Sequence, residues 1–452
     1  MVLKNFCLLF VFLSLSINAN AQMTHEIGGI WYNLYPGGYM YYTGCVMEDN
    51  TAEVVGLYQD FDKVYIPSEV TLGNTIFTVK TIGSNAFKDS SVEYIHIPPS
   101  VNSIMSGAFA GCKSLTSINV PENLINIYSN AFDDSGWYDA QNEGLLFFGN
   151  WLLGYKGTGR PKESLSIPEG TIGVAAGAFE NLLDLIDVTM SNTVKYICSD
   201  AFEGCKNLGC LYLSNNLISL GGFRDCSGLS SITIPNSVTT IDVCAFEGCS
   251  GLTSITIPNS VTTIGSSAFR DCSGLTSITI PNSVTYIGME AFRNCTGLTS
   301  VIIGSNVTFD ENVFTDTDNL MSVTSYITRP SDLPTYKQPF FSKNTYNYGT
   351  LYVPKGTKDI YIRYDGWRDF YNIVEMDETN IDVSHAYDPI IRVEDNSVII
   401  DGIEKGGQCD IYSISGTLIH SLNSNGKGIR VDLIKGNTYI IKVGESTIKV
   451  VL

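Results

Sequence analysis

The sequence predicts a repeat solenoid, mainly β, of about 11 coils, followed by a small C-terminal β-sandwich. Three observations carry this reading. A phenylalanine recurs every 21 to 23 residues through the middle of the chain, three consecutive 23-residue segments are almost the same, and the tail breaks into short alternating apolar runs. Self-similarity at such a period marks units that stack and share one core. Composition agrees: of 452 residues, 44% are hydrophobic and 16% charged, which excludes disorder over most of the length. The 27 basic against 46 acidic residues give a net charge of −19, a balance that repels phosphate and argues against nucleic-acid binding.

Residues 1–21 carry the three-part pattern of a secretory signal peptide: Lys4, the apolar run Phe6 to Leu15, and Ala19-Asn20-Ala21 with cleavage expected after Ala21. The run is too short to cross about 30 Å of hydrocarbon. No cysteine follows it at a cleavage position, so no lipid anchor is indicated, and no later stretch is long and apolar enough to span. The expectation is a protein that is secreted or held on the outer cell surface. Residues 22–79 read as an N-terminal β cap, because an uncapped array exposes its core. The segment is aromatic, with Trp31-Tyr32 and Tyr39-Met40-Tyr41-Tyr42, so a platform for sugar rings is an alternative.

The array itself spans 80–325. An Ala-Phe pair marks Phe87, Phe109, Phe132, Phe179, Phe202, Phe246, Phe269 and Phe292, while Phe223 and Phe314 keep the aromatic without the alanine. These ten rings are the expected repeat core. In one unit, Ile255-Thr256-Ile257 alternates as a short strand with two side chains inward, and Pro258 ends it. Val261 to Ile264 then extends and is expected to turn at Gly265. Ala268-Phe269 suits a crowded inner corner, and Leu275 opens the next unit. One unit buries too little apolar surface to order itself, so neighbours must stack. The step from Phe132 to Phe179 is 47 residues, or two periods. Leu165-Ser166-Ile167-Pro168 reads as the strand of a hidden coil there, beside an insertion at 136–160.

The pattern Leu252-x-x-Ile255-x-Ile257-Pro258-x-Ser260-Val261-x-x-Ile264-Gly265-x-x-Ala268-Phe269-x-x-Cys272 resembles the BspA-like leucine-rich repeat. That family comprises surface and secreted proteins of anaerobic bacteria and some mucosal protists. The resemblance runs roughly from Val54 to Val323. Trp137-Tyr138 with Gly144-Leu145-Leu146 and Leu153 to Gly157 is similar to an insertion found in such arrays. Leu351-Tyr352-Val353-Pro354-Lys355-Gly356, Gly366-Trp367 and Phe370 to Glu375 resemble the family's closing segment, placed here in a C-terminal cap over 326–375. The resemblance implies adhesion or ligand binding without naming the ligand.

Residues 376–389 are acidic and polar and read as a linker; 390–452 hold six short strands separated by glycine turns, a β-sandwich signature. Ile411 to Gly416, Lys435 to Val443 and Lys449-Val450-Val451 resemble the C-terminal sorting domain of the type IX (Por) secretion pathway, although the chain ends in leucine where many relatives end in a basic residue.

Twelve cysteines in an exported chain suggest disulfides. Six of them, Cys112, Cys205, Cys226, Cys249, Cys272 and Cys295, follow the repeat phenylalanine by three residues. Other units place Ser90, Ser135, Leu182 or Thr317 in that slot, so it reads as a column of small buried groups rather than a bonded one. Four scattered histidines, no cysteine–histidine zinc spacing, no phosphate loop and no serine elbow leave no metal, cofactor or catalytic constellation. Asp316-Thr317-Asp318-Asn319 lacks the spacing of a calcium loop. What remains is a face. The outward strand positions form two stripes, and the candidate ligand-binding residues are Tyr94, His96, Ser117, Asn119, Asp187, Thr189, Tyr212, Thr233, Thr256 and Thr279. The expected role is non-catalytic adhesion or protein binding as a monomer, the partner being a host or bacterial surface protein. A glycan-binding accessory protein is one alternative, and a polysaccharide-acting enzyme with its site at Trp137 to Gly157 is another.

Overall fold

The computed structural model describes residues 23–35, 50–328 and 339–376, and in the C-terminal part 390–394, 397–401, 408–413, 418–423, 429–434, 438–443 and 446–451. The signal peptide, Tyr39 to Tyr42, Cys45 and the linker after Met376 lie outside the described residues.

Each coil of the solenoid contributes two short strands. In one coil the first is Ser254–Thr256 and the second Thr263–Ile264. Both pair in parallel with their counterparts one coil away, Ile232 beside Ile255 and Ile241 beside Ile264 beside Ile287. Alternation sets the burial: Ser254 and Thr256 are exposed while Ile255 and Ile257 are inside. The tight step at Gly265 has a different cause from the turn chemistry expected of it. Its φ is not left-handed; a Cβ there would lie 2.6 Å from the Val243 amide nitrogen of the preceding coil. Left-handed residues instead bracket the phenylalanine, as Ser267 (φ 55°) and Asp271 (φ 60°) do around Phe269.

All ten repeat phenylalanines are buried, and the rings stack along the axis. Phe87, Phe109 and Phe132 stack at 5.4 and 5.2 Å. A second run joins Phe179, Phe202, Phe223, Phe246, Phe269, Phe292, Phe314 and, from the cap, Phe341 at 5.1 to 5.9 Å. Between the runs lies no hidden coil. Leu165 precedes Phe179 by the same fourteen residues that separate Ile255 from Phe269, so Glu163–Ile167 is the first strand of the Phe179 coil itself. The extra length is a short helix, Gly136–Asp139, and a hairpin of Gly144–Phe148 with Trp151–Lys156. Lys156 fastens the two: its ammonium donates to the carbonyls of Tyr138, Asp139 and Gln141 at 2.6 to 3.0 Å.

The hairpin takes a coil's place in the core. Phe148 and Trp137 cover Phe132 with centroids at 4.8 and 4.4 Å. One strand then serves both sides: Gly173-Val174 pairs with Trp151-Leu152, and two residues on, Ala176 bridges Tyr128. Gly173 is required there because the Trp151 ring occupies the space of its missing side chain and stacks on Tyr196 beyond, at 6.0 Å. The apolar interior accordingly forms two clusters, one running from Ile30 to Phe132 and the hairpin, the other from Leu152 to Ile373.

The N-terminal sheet runs directly into the array, since Thr75–Ile82 pairs with Thr51–Leu57 on one side and Ser103–Ile104 on the other. At the far end Thr350–Val353 and Asn372–Glu375 prolong the first-strand sheet over Trp367, Phe370 and Tyr361. Among the described residues the C-terminal part has seven strands rather than six, in sheets of three and four that share a core of Val398, Ile400, Cys409, Ile411, Val431, Leu433, Tyr439 and Ile441. The additional strand, Leu418–Asn423, is a sheet edge with no buried side chain, so apolar alternation did not announce it.

Candidate functional site

The outward positions of the first strands form rows set by strand register. Lys63, Tyr94 and Ser117 make one row of the N-terminal block, and Tyr65 lies beside His96 in the next. After the insertion the rows are Ser164, Asp187 and Cys210, and Ser166, Thr189 and Tyr212. Thr233 and Thr256 are paired neighbours, and Thr279 pairs with Ile302. The two stripes are therefore not one surface. The first-strand sheet stops at Ser117–Ile118 and a separate one begins at Glu163–Ile167; the hairpin that intervenes in sequence pairs with the second-strand sheet.

Several candidate side chains have structural duties. Asn119 accepts from the Ile97 amide at 2.7 Å and donates to the Ile97 carbonyl at 2.8 Å, so its amide imitates the strand rung that Ser117–Ile118 is too short to supply. Asp187 accepts a 2.7 Å bond from Ser164. Thr233, Thr256 and Thr279 are exposed and small, a solvated face. Tyr94 and His96 are half-buried, and Tyr212 is 54% exposed.

Two groups escaped sequence reasoning. Tyr65 is 65% exposed, with its ring 5.4 Å from Tyr94 and 6.2 Å from His96. Its signal was present: Val64-Tyr65-Ile66-Pro67 repeats the strand-then-proline pattern of Ile255 to Pro258. The second is Ile186. It stands 48% exposed; the pairing with Glu163–Ile167 skips it, while its carbonyl accepts from the Gly209 amide of the next coil at 2.9 Å. Leu183 is exposed one turn earlier, and Cys210 and Tyr212 are exposed on the adjoining strand.

A family model for the BspA type leucine rich repeat region matches in six copies, over residues 61–139, 159–243 and 217–347, more than half of the chain. The chain belongs to the BspA-type leucine-rich-repeat family. Among solved structures it is similar to a leucine-rich repeat protein from Bacteroides ovatus (23% identity over 77% of this chain and 88% of that one, TM-score 0.37). It is also similar to a leucine rich cell surface protein from Faecalibacterium prausnitzii (21%, 68% and 96%, 0.25) and to the T. pallidum leucine rich repeat protein (25%, 40% and 87%, 0.29). No curated protein matches.

In this BspA-type array the six repeat cysteines are fully buried, and all ten cysteines among the described residues are unbridged. Each of the six donates its thiol to the phenylalanine carbonyl of the coil before, Cys249 to Phe223 at 3.0 Å and Cys272 to Phe246 at 3.1 Å. Ser135 and Thr317 in the same slot turn instead to their own coil's phenylalanine carbonyl, at 2.7 and 2.6 Å. Burial pushes the Cys249 and Cys295 thiols up to about 12, so they stay protonated and unreactive. Among the described residues no group of three or more histidine, cysteine or carboxylate side chains could hold a metal, and no helix is long and apolar enough to cross a membrane. A groove beside the insertion is lined by Tyr155, Arg160, Glu180 and Asn181 with the backbone of Gly177 to Phe179; it contains no histidine, cysteine or serine.

Proposed function

We propose that this is an exported adhesion protein that binds a protein partner, without catalysis, through the outward sheet just after the insertion. The exposure of Ile186 and Tyr212 on adjoining strands carries this reading. Ile186 occupies the outward position that Ser230, Thr253, Thr276 and Thr299 hold in later coils, and so puts an apolar side chain into solvent on the strand that carries Asp187 and Thr189, beside the strand of Tyr212. At the Ile186 position other coils hold Thr116, Ser230, Thr253, Thr276 and Thr299, with Gly209 and Met321 among the exceptions. An apolar and aromatic cluster within a polar rim is the anatomy of a protein-binding patch. Family membership supports the reading, as does the signal pattern at 1–21. The tail at 390–452 acts, in this proposal, as a type IX sorting domain.

The test is a quantitative pull-down from mucosal extract and from neighbouring bacteria, comparing the wild type with the double variant Ile186→Ser/Tyr212→Ala. A protein recovered by the wild type and lost by the variant supports the assignment; equal recovery by both, or none by either, rejects it. Deleting 390–452 should leave the rest of the chain inside the cell, and full-length protein with an intact tail at the surface would contradict the sorting role.

A further inference from the structure

We infer that the aromatic cluster on the first coils, Tyr65, Tyr94 and His96, is a second and separate site that takes an uncharged sugar ring. It lies on a different sheet from the protein-binding patch, the two separated in the chain by the insertion. The three rings sit on two adjacent strands in fixed register, Tyr65 opposite His96 and diagonal to Tyr94. Tyr65 and Tyr94 are tilted by 49°, which makes an angled shelf rather than a closed stack. A pyranose offers a flat C–H face to such rings and hydroxyls to groups at their edges.

These side chains do nothing evident for the fold. Among the described residues neither phenol hydroxyl nor the imidazole has a hydrogen-bond partner, whereas Asn119 one coil away spends its whole amide on the backbone. The phenols, the imidazole and the exposed Ser117 hydroxyl remain as donors and acceptors. Charge selects the sugar class. Lys63 is the one charged residue on the outward rows of these strands, and exposed Asp62 and Glu93 stand at their starts. An acidic sugar would meet two carboxylates against one ammonium in a chain of net −19. A neutral one meets no such barrier, and carboxylates at the rim accept bonds from its hydroxyls.

The experiment uses the full mature chain and saturation-transfer NMR with cello-, malto-, manno- and xylohexaose, and with hexagalacturonate as the acidic probe. At least one neutral hexaose should bind. Tyr65→Ala should weaken it about tenfold or more, the loss expected of a ring that anchors a contact. Tyr65→Phe, which keeps the ring, should stay within about threefold by the same argument. Ile186→Ser/Tyr212→Ala should leave sugar binding unchanged, and Tyr65→Ala should leave protein capture unchanged, which separates failure here from failure of the protein-binding reading. No binding by any neutral probe, tighter binding of hexagalacturonate, or full binding by Tyr65→Ala/Tyr94→Ala would overturn the assignment. Unaltered thermal melting of the variants is the folding control.

Discussion

Before the insertion, three phenylalanines stack and the outward strands present Lys63, Tyr65, Tyr94 and His96. After it, eight phenylalanines stack and the outward strands present mostly serine and threonine, with Ile186, Tyr212, Ile302 and Met321 among the exceptions. The inner corners of the two blocks are built from the same residues. The outer rows are not, because nothing in the packing constrains a side chain that points into water. The comparison also separates two ways of locking coils together. The later block has five consecutive buried thiols from Cys205 to Cys295, each donating to the coil before, and threonine rows in which Thr262, Thr285 and Thr308 each donate to the previous threonine carbonyl at 2.8 to 3.2 Å. The earlier block has one such thiol, Cys112, and relies on the aromatic hairpin that closes it.

The strongest way to break the later block is Phe246→Ala. The ring is fully buried between Phe223 and Phe269 at 5.9 and 5.5 Å. Its removal should cost about 3–5 kcal/mol, the range for deleting a buried aromatic ring. Because neighbouring coils share one core, denaturant unfolding should show the whole block shifting to a lower midpoint. An unchanged midpoint would mean the rings are not what couples the coils.

Next in size is the junction. Gly173→Val forces a branched side chain into the Trp151 ring, an overpacking that should cost about 1–3 kcal/mol. The strand damaged is the one shared by both blocks, so calorimetry should resolve one transition in the wild type into two in the variant. A single, merely lowered transition would show that the blocks unfold as one body through contacts other than this strand.

The thiol ladder gives a pH dependence. The Cys249 and Cys295 thiols ionise near 9.0 in the unfolded chain and near 12 in the folded one, because burial penalises the thiolate. Above pH 9 the unfolded state binds fewer protons, so stability should be intact below pH 9 and decline as pH rises towards 12. Midpoints measured from pH 8 to 11 should fall in the wild type and fall less in Cys249→Ser/Cys295→Ser. Parallel curves would mean that other groups govern the alkaline limit. In the same native protein Cys210, which is exposed, should react with a maleimide well before the repeat thiols do.

The blocks also differ in how far their details could be read from residues. The phenylalanine period announced the later block, because a ring every 23 residues has no other simple use. The insertion was misread because it stretches the step from Phe132 to Phe179 to two periods and Leu165-Ser166-Ile167-Pro168 matches the strand motif; the hairpin contacts that exclude a further coil are long-range. Tyr65 was missed because a second hairpin, Glu69–Leu72 with Thr75–Ile82, separates it from Phe87 and hides the repeat phase. Residue type made Asn119 a ligand candidate, yet its type also suits a backbone mimic, and only the register of its neighbours decides between them. Burial can be inferred from periodicity, whereas the employment of a polar group depends on which partner lies within 3 Å.

The smallest expected effect tests whether repetition has fixed the corners well or only uniformly. Ser267 holds φ 55° in the later block, and the equivalent positions two residues before each phenylalanine include Cys244 (φ 55°), Glu290 (φ 58°), Gly107 (φ 65°) and Gly177 (φ 71°). The left-handed region costs a side-chain-bearing residue about 1–2 kcal/mol, and glycine escapes that cost but loses more backbone freedom on folding. Ser267→Gly removes a hydroxyl for which no side-chain hydrogen bond is seen, so the first term should prevail and stability should rise by roughly 0.5–1 kcal/mol. Glu290→Gly should not gain, although the backbone is the same, because Glu290 pairs with Arg270 at 2.9 Å and Arg293 at 2.6 Å along the corner. A rise in melting temperature for the first variant and none for the second would show that the corner tolerates strain where a side chain is otherwise engaged. Equal shifts would mean that the ion pairs add nothing measurable there.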